Sequence, residues 1–282
     1  MRATVVTAMC VVVATACGSG GSHPGTTTGP TPTPSAAWAD EFDAPVNAAP
    51  DSTKWTYDLG GGGWGNQELE SYTSSTDNVH LDGQGHLVIR VLSAAGTYSS
   101  ARLKTQGRFT AQYAHIDASI KLPAGRGIWP AFWMLGASIT TAGWPACGEI
   151  DVMENIGSPG ATPEWRAGQP SVNHGSAHGP GYSGGNSKSA TYALPANARF
   201  ADAFHTFAID WAPGTIAFLV DGAVYHTVTR ATIPAGTAWV FDAPFFLLLN
   251  VAVGGSFPGP PDATTMFPQE MVVDYVRYVP RQ

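Results

Sequence analysis

Charge is the first thing this chain is short of. Only 12% of its 282 residues are Asp, Glu, Lys or Arg, about half the usual share of a soluble domain. With 14 basic against 21 acidic residues the formal charge is −7. That balance argues against nucleic acid, and equally against sulfated polysaccharides, which want a basic cleft. Cysteine is nearly absent as well. Cys10 and Cys17 fall in the N-terminal apolar segment, which leaves Cys147 alone in the remainder and excludes a disulfide framework there. Without a cysteine partner for Cys147, a structural zinc site is also disfavoured. Cys147 lies two residues before Glu149 but has no nearby His or Lys to activate it, so it reads as a small buried hydrophobe. From Trp38 onward no sustained 3.6-residue apolar period appears, no helix start has a matching stop, and no internal repeat is visible, which disfavours a propeller. The glycine-rich run from Gly60 to Asn66 has no Lys-Ser/Thr ending and no helix pattern behind it, so it is a poor phosphate cradle.

What remains is a β-protein. Apolar residues make up 44% of the chain, and 33 glycines and 22 prolines supply many turns. His115 to Leu122 alternates polar and apolar residues throughout, predicting a strand with one wet face. Thr215 to Val228 predicts a hairpin turning at Asp221-Gly222, and Phe204 to Trp211 and Met271 to Val279 have strand composition. Phe245 to Val253 is apolar on both faces and predicts an inner strand. Together these predict an all-β, two-sheet antiparallel jelly-roll sandwich with a concave substrate cleft, its rim formed by long loops such as 60–66.

Ahead of that domain, residues 1–17 read as an export signal: Arg2, an apolar run through Val11-Val12-Val13, then small residues before Cys17. The small residues resemble the lipobox of bacterial lipoproteins, with Ala14 standing where leucine is commonest. Lipidation at Cys17 and a membrane anchor are therefore expected, with simple secretion as the alternative. Residues 18–37, rich in Gly, Ser, Thr and Pro, read as a tether. The folded domain is expected over 38–282, as a monomer.

The concentrated chemistry lies in Gly148-Glu149-Ile150-Asp151-Val152-Met153-Glu154-Asn155, where three carboxylates occupy six positions of an apolar stretch. In a regular strand Glu149 and Asp151 share a face and Glu154 points away. One extra residue at Val152 or Met153, taken up as a bulge, would turn Glu154 back and line all three on one surface. Two carboxylates about 5 Å apart are the apparatus of a retaining glycosidase. The alternative is a solvated acidic edge strand. Against it stand Trp129, Trp133 and Trp144, three indoles delivered close to the acids.

Trp38 to Phe42, Trp64 to Glu68, Gly127 to Leu135, Gly148 to Asn155, His178 to Tyr182, Phe246 to Gly255 and Val273 to Arg277, in this order, resemble glycoside hydrolase family 16, especially its bacterial endo-β-1,3-glucanases, the laminarinases. The likeness covers nearly all of residues 38–280. It implies a jelly roll, a retaining mechanism, Glu149 as nucleophile, Glu154 as acid/base and Asp151 between them, with no cofactor needed for catalysis. It also implies that Asn66, Glu68 and Arg102 bind sugar hydroxyls, that Trp129 and Trp133 are cleft aromatics, and that His178 lies near the acids. For Asn66, Glu68 and Arg102 a loop-fixing polar network would serve nearly as well. Many members hold a structural calcium between an early acidic residue and a late one, for which Glu41 and Asp274 are the candidates here, although a hard cation wants six or more oxygens. The expected substrate is a neutral β-glucan such as laminarin. The alternatives are a mixed-linkage glucanase, a galactan-active relative, a transglycosylase, a non-catalytic carbohydrate-binding jelly roll and an adhesion protein.

Overall fold

The structure, a computed structural model, describes residues 37–156, 172–195 and 198–281. The signal segment, most of the tether and Cys17 lie outside the described residues. Among the described residues no helix is long and apolar enough to cross a membrane. The strands run, in chain order, β1 (Trp38–Asp40), β2 (Thr56–Asp58), β3 (Glu70–Tyr72), β4 (Val79–Leu81), β5 (Leu87–Ala94), β6 (Thr97–Ser100), β7 (Arg102–Lys104), β8 (Ala114–Lys121) and β9 (Ile128–Gly136). After the single helical turn α1 (Ile139–Ala142) come β10 (Glu149–Glu154), β11 (Val172–His178), β12 (Lys188–Ala193), β13 (His205–Ala212), β14 (Thr215–Val220), β15 (Ala223–Thr229), β16 (Phe245–Val253) and β17 (Gln269–Pro280).

They form two sheets, as the sequence predicts. The ten-stranded sheet runs β15-β14-β13-β8-β17-β5-β6-β3, with β1 added on β17 and β4 on β5. The seven-stranded sheet runs β12-β11-β10-β9-β16-β7-β2. Every pairing among the named strands is antiparallel except β3 with β6. The core lies between the sheets and takes alternate residues from each. From β9 come Ile128, Phe132 and Met134, from β10 Ile150 and Val152, and from β8 Ile116, Ala118 and Ile120, all fully buried. Each large apolar side chain removed from water in this way contributes roughly 2–3 kcal/mol.

Three sequence expectations meet the structure differently. The hairpin turns at Asp221-Gly222 with φ of 49° and 77°, the left-handed pair a two-residue hairpin requires. Strand β16 is buried along its whole length between β9 and β7, as expected. The wet face of β8 is a correction. Asp117 and Ser119 are 9% and 7% exposed, because β8 lies between β13 and β17 and is covered by their side chains. Alternation reports the polarity of a face, whereas what covers that face is decided by distant parts of the chain.

Candidate active site

The outer face of the seven-stranded sheet carries the site, and β9 sets its geometry. Alternation along β9 sends Phe132 and Met134 inward and leaves Trp129, Ala131, Trp133 and Leu135 on the cleft side. The chain returns from β9 to β10 through a close approach that only glycine permits. The Gly136 N–H donates to the Gly148 carbonyl at 3.0 Å. A Cβ on Gly136 would stand 1.9 Å from the Cys147 oxygen, and one on Gly148, at φ +83°, would stand 2.7 Å from the Phe245 ring. This junction fixes Glu149 opposite Leu135.

From there the pairing runs Glu149 with Leu135 and Asp151 with Trp133, then jumps to Met153 with Phe132 and Glu154 with Ala131. Between Asp151 and Met153, β10 advances two residues while β9 advances one. Strand β11 records the same insertion, since Asp151 faces Ser176 and Glu154 faces His174. The extra residue in β10 is the bulge anticipated at Val152–Met153. It reverses the parity, so Glu149, Asp151 and Glu154 all face the cleft with Leu135, Trp133 and Ala131.

The cleft measures about 410 Å³, and its walls include all three acids with Asn66, Glu68, Arg102, Trp129, Trp133 and Trp144. Trp129 donates its indole N–H to Glu154 Oε1 at 2.9 Å. Both Trp129 and Trp133 are half-buried with one face on the cleft, so neither is a simple core residue. Trp144, 49% exposed, stands at the rim with its ring 6.2 Å from that of His178. His178 stands behind the acids. Its Nε2 is 2.9 Å from Asp151 Oδ2 and 3.7 Å from Glu149 Oε1. Its Nδ1 accepts the Gly184 N–H at 3.1 Å, which places the ring proton on Nε2, facing the carboxylates.

Burial pushes Glu149, Asp151 and Glu154 each up to about 8. For both glutamates the charge of Asp151 adds to that rise. The two glutamates differ in what acts beyond burial and Asp151. His178 and Arg102 favour the ionised form of Glu149, but the charge of Glu154 opposes them. For Glu154, His178 and Trp129 do the same, but the charge of Glu68 opposes them. Both glutamates thus stand at about 8, each with a further acid opposing the groups that favour its charge, so the three acids share protons rather than ionise together.

Arg102 is held firmly. Its guanidinium lies 5.0 Å from the Trp64 ring and 4.7 Å from the Trp133 ring, and its Nε is 3.0 Å from Asp58 Oδ2. Glu68, 8% exposed, accepts hydrogen bonds from Asn66 Nδ2 and from the Tyr72 hydroxyl, each at 3.0 Å. Asn66 and Glu68 thus make the loop-fixing network that stood as the alternative to sugar binding. The cleft also contains residues whose sequence context did not single them out: Trp64 above Arg102, and Asn250, whose Oδ1 accepts the Trp133 N–H at 2.8 Å. Asn250 is the one polar residue in the apolar run 245–253, and that is the signal by which it could have been found.

Two other candidates remain. Cys147 is buried, and burial together with the charge of Glu149 raises its pKa, so it is a packed thiol and no nucleophile. Both Glu41 carboxylate oxygens accept from the Arg277 guanidinium at 2.8 Å. That side chain is thus engaged in an ion pair, and a calcium between Glu41 and Asp274 stays an expectation of the resemblance. Among the described residues, carboxylate and imidazole groups converge instead at Glu149, Asp151 and His178, whose ligand atoms lie within 4.8 Å of one another.

Comparison with known proteins agrees with this geometry. A family model described as glycosyl hydrolases family 16 matches residues 66–277. A β-glucanase of Rhodothermus marinus is 39% identical over 255 residues, spanning 85% of this chain and 83% of the relative. Among solved structures, an endo-β-1,3-glucanase of Pyrococcus furiosus superposes with a TM-score of 0.76 at 44% identity, over 86% of this chain and 93% of the other. The laminarinase catalytic domain of Thermotoga maritima MSB8 superposes with a TM-score of 0.77 at 43% identity, over 87% and 97%. The chain belongs to glycosyl hydrolases family 16.

Proposed function

We propose that this protein is an endo-acting glycosidase that hydrolyses β-1,3-glucosidic bonds within neutral β-glucans such as laminarin, with retention of configuration. The observation that carries the reading is the β10 bulge, which gathers three acids on the floor of a cleft walled by indoles. A sugar ring lays its C–H face against Trp133 and Trp129, and the low charge of the chain suits a neutral polymer.

In this reading the Glu149 carboxylate attacks the anomeric carbon while Glu154 gives its proton to the departing glycosidic oxygen. The bond to the leaving sugar breaks and an ester to Glu149 forms. Glu154, now ionised, takes a proton from the incoming water, whose oxygen displaces Glu149 and restores the β-anomer. Asp151, between the two and backed by His178, keeps negative charge from spreading over all three acids at once. Catalysis in this family needs no cofactor. Export and anchoring through a lipid on Cys17 complete the proposal on sequence grounds, and mass spectrometry of the mature N-terminus tests that part.

The activity is tested by the products from laminarin, barley mixed-linkage glucan, lichenan, agarose and xyloglucan. Internal cleavage of laminarin that releases β-configured reducing ends is expected. Cleavage confined to agarose or xyloglucan would overturn the substrate, and binding without any product would make the domain a lectin.

A further inference from the structure

One buried acid beside the cleft has no part in the mechanism above. Glu70 on β3 is 2% exposed. Its Oε2 accepts the Val253 N–H at 2.6 Å, which ties it to the end of β16, while its Oε1 is buried with no hydrogen-bond partner. A carboxylate oxygen left in that state destabilises the fold. The Glu68 side chain is within hydrogen-bonding reach, and burial followed by the charge on Glu68 pushes the Glu70 pKa up to about 8. Two carboxylates so placed do not both ionise. A proton shared between the two carboxylates removes the repulsion, and Oε1 is the Glu70 oxygen left free to carry it.

Glu68 begins a continuous chain of hydrogen bonds into the cleft. The Tyr72 hydroxyl donates to Glu68 at 3.0 Å and accepts from Asn250 Nδ2 at 3.1 Å, and Asn250 Oδ1 accepts the Trp133 indole N–H at 2.8 Å. Trp133 stands directly across the strand pair from Asp151 and also stacks on Arg102. The other titratable groups around Glu70 are few. Tyr98 faces it from β6, and Arg102 acts through Tyr72, whose burial holds its hydroxyl un-ionised. A recess of about 350 Å³, lined by Glu68, Glu70 and Tyr98, lies beside the pair and gives the shared proton a route to solvent.

We propose that Glu70 is a positioning residue of the cleft: as the neutral acid it donates to Glu68 and, through Tyr72 and Asn250, fixes the Trp133 indole on which the glucan packs. The inference rests on the glucanase reading. Loss of the Glu70 proton at alkaline pH breaks the first link, frees Glu68 to turn, and loosens Trp133, while the catalytic acids feel it only through the charge of Glu68 on Glu154. The consequence falls on substrate binding.

Steady-state kinetics on laminarin from pH 5 to pH 9, for the wild type, Glu70→Ala and Glu70→Gln, test this. Glu70→Ala is expected to raise KM roughly tenfold with kcat changed less than about twofold, the loss of one buried hydrogen bond. Glu70→Gln keeps an N–H donor toward Glu68 and is expected to recover most of that loss. The wild-type KM is expected to climb above about pH 8, and this climb is expected to vanish in Glu70→Gln, which has no proton to lose. A merely structural Glu70 would leave the pH dependence of KM the same in both. An alkaline rise in KM that survives in Glu70→Gln, or a fall in kcat at fixed KM in Glu70→Ala, would overturn the inference while leaving the glucanase reading intact. Should Glu70→Ala fail to fold, the wild-type and Glu70→Gln profiles decide alone. A wild type that never turns over laminarin overturns the glucanase reading, and this inference with it.

Discussion

Strands β8 and β10 both carry acids at the centre of a sheet, and they treat them in opposite ways. On β8, Asp117 is 9% exposed but has charged company: His115 Nε2 lies 3.8 Å away, and Arg277 faces it across the β8–β17 pair. Burial raises its pKa, while His115, Tyr275 and Arg277 draw it back. On β10 three acids occupy six positions, and among the described residues His178 is the one group in ion-pair range of any of them. An acid whose task is to fold is given cations by its neighbours. An acid whose task is to exchange a proton is left under-compensated, and its pKa rises toward the working pH. Strand geometry differs in step with this: β8 pairs regularly with β13 and the bulge in its pairing with β17 lies on β17, whereas β10 itself carries the extra residue.

The comparison breaks if the two sets of acids respond alike to substitution. Glu149→Ala and Glu154→Ala are each expected to lower kcat on laminarin by at least ~10³-fold, the range for removing a nucleophile or a general acid. Asp117→Asn is expected to keep kcat within about threefold. Equal losses at Asp117 and Glu149, measured on folded protein, would remove the distinction.

Stability should separate them next. Asp151 has its pKa raised by folding, from an ordinary 3.8 to about 8, so the native state holds this proton more tightly than the unfolded chain does. Its contribution is fully present below the unfolded pKa and is lost as pH rises toward the folded value. Asp151→Asn cannot lose a proton, so its thermal midpoint is expected to exceed that of the wild type by roughly 3–6 °C at pH 8 and to converge with it near pH 4. Asp117→Asn should show a smaller gain of the same sign, because the Asp117 pKa is also raised by burial but is drawn back by His115, Tyr275 and Arg277. Calorimetry at the two pH values decides.

Much of this contrast was legible in the sequence, for a physical reason. An odd spacing between acids in an apolar strand has few explanations, and with Trp129, Trp133 and Trp144 close by, the positions of Glu149, Asp151 and Glu154 favoured a bulge over an acidic edge strand. The covering of β8 was hidden because it depends on Tyr275 and Arg277, far along the chain. Asn250 and Tyr72 were missed for a related reason. Each looks like an ordinary member of its strand, and only the folded chain joins them into the relay from Glu68 to Trp133. The ion pair between Arg277 and Glu41 was hidden too, because nothing in the sequence joins side chains so far apart along the chain.

A smaller effect sharpens the role of Glu154. The Trp129 N–H bonded to Glu154 Oε1 favours the ionised carboxylate. Trp129→Phe removes that donor and raises the Glu154 pKa further. Because the first step needs Glu154 protonated, the alkaline limb of kcat/KM is expected to move upward by about half to one pH unit. An unmoved limb would mean that Glu154 does not set it.

The central claim, that Glu149 attacks and Glu154 delivers and removes the proton, is tested most directly by azide rescue of the two alanine variants on an oligoglucoside with an activated aryl leaving group. Glu154→Ala retains the nucleophile and needs no proton for such a substrate, so it should form the glycosyl-enzyme and release a β-glycosyl azide. Glu149→Ala should give only the α-azide, because the anion then enters from the face the carboxylate vacated. A β-azide from Glu149→Ala with an α-azide from Glu154→Ala would exchange the two roles, and wild-type turnover of laminarin by both variants would contradict catalysis at this site.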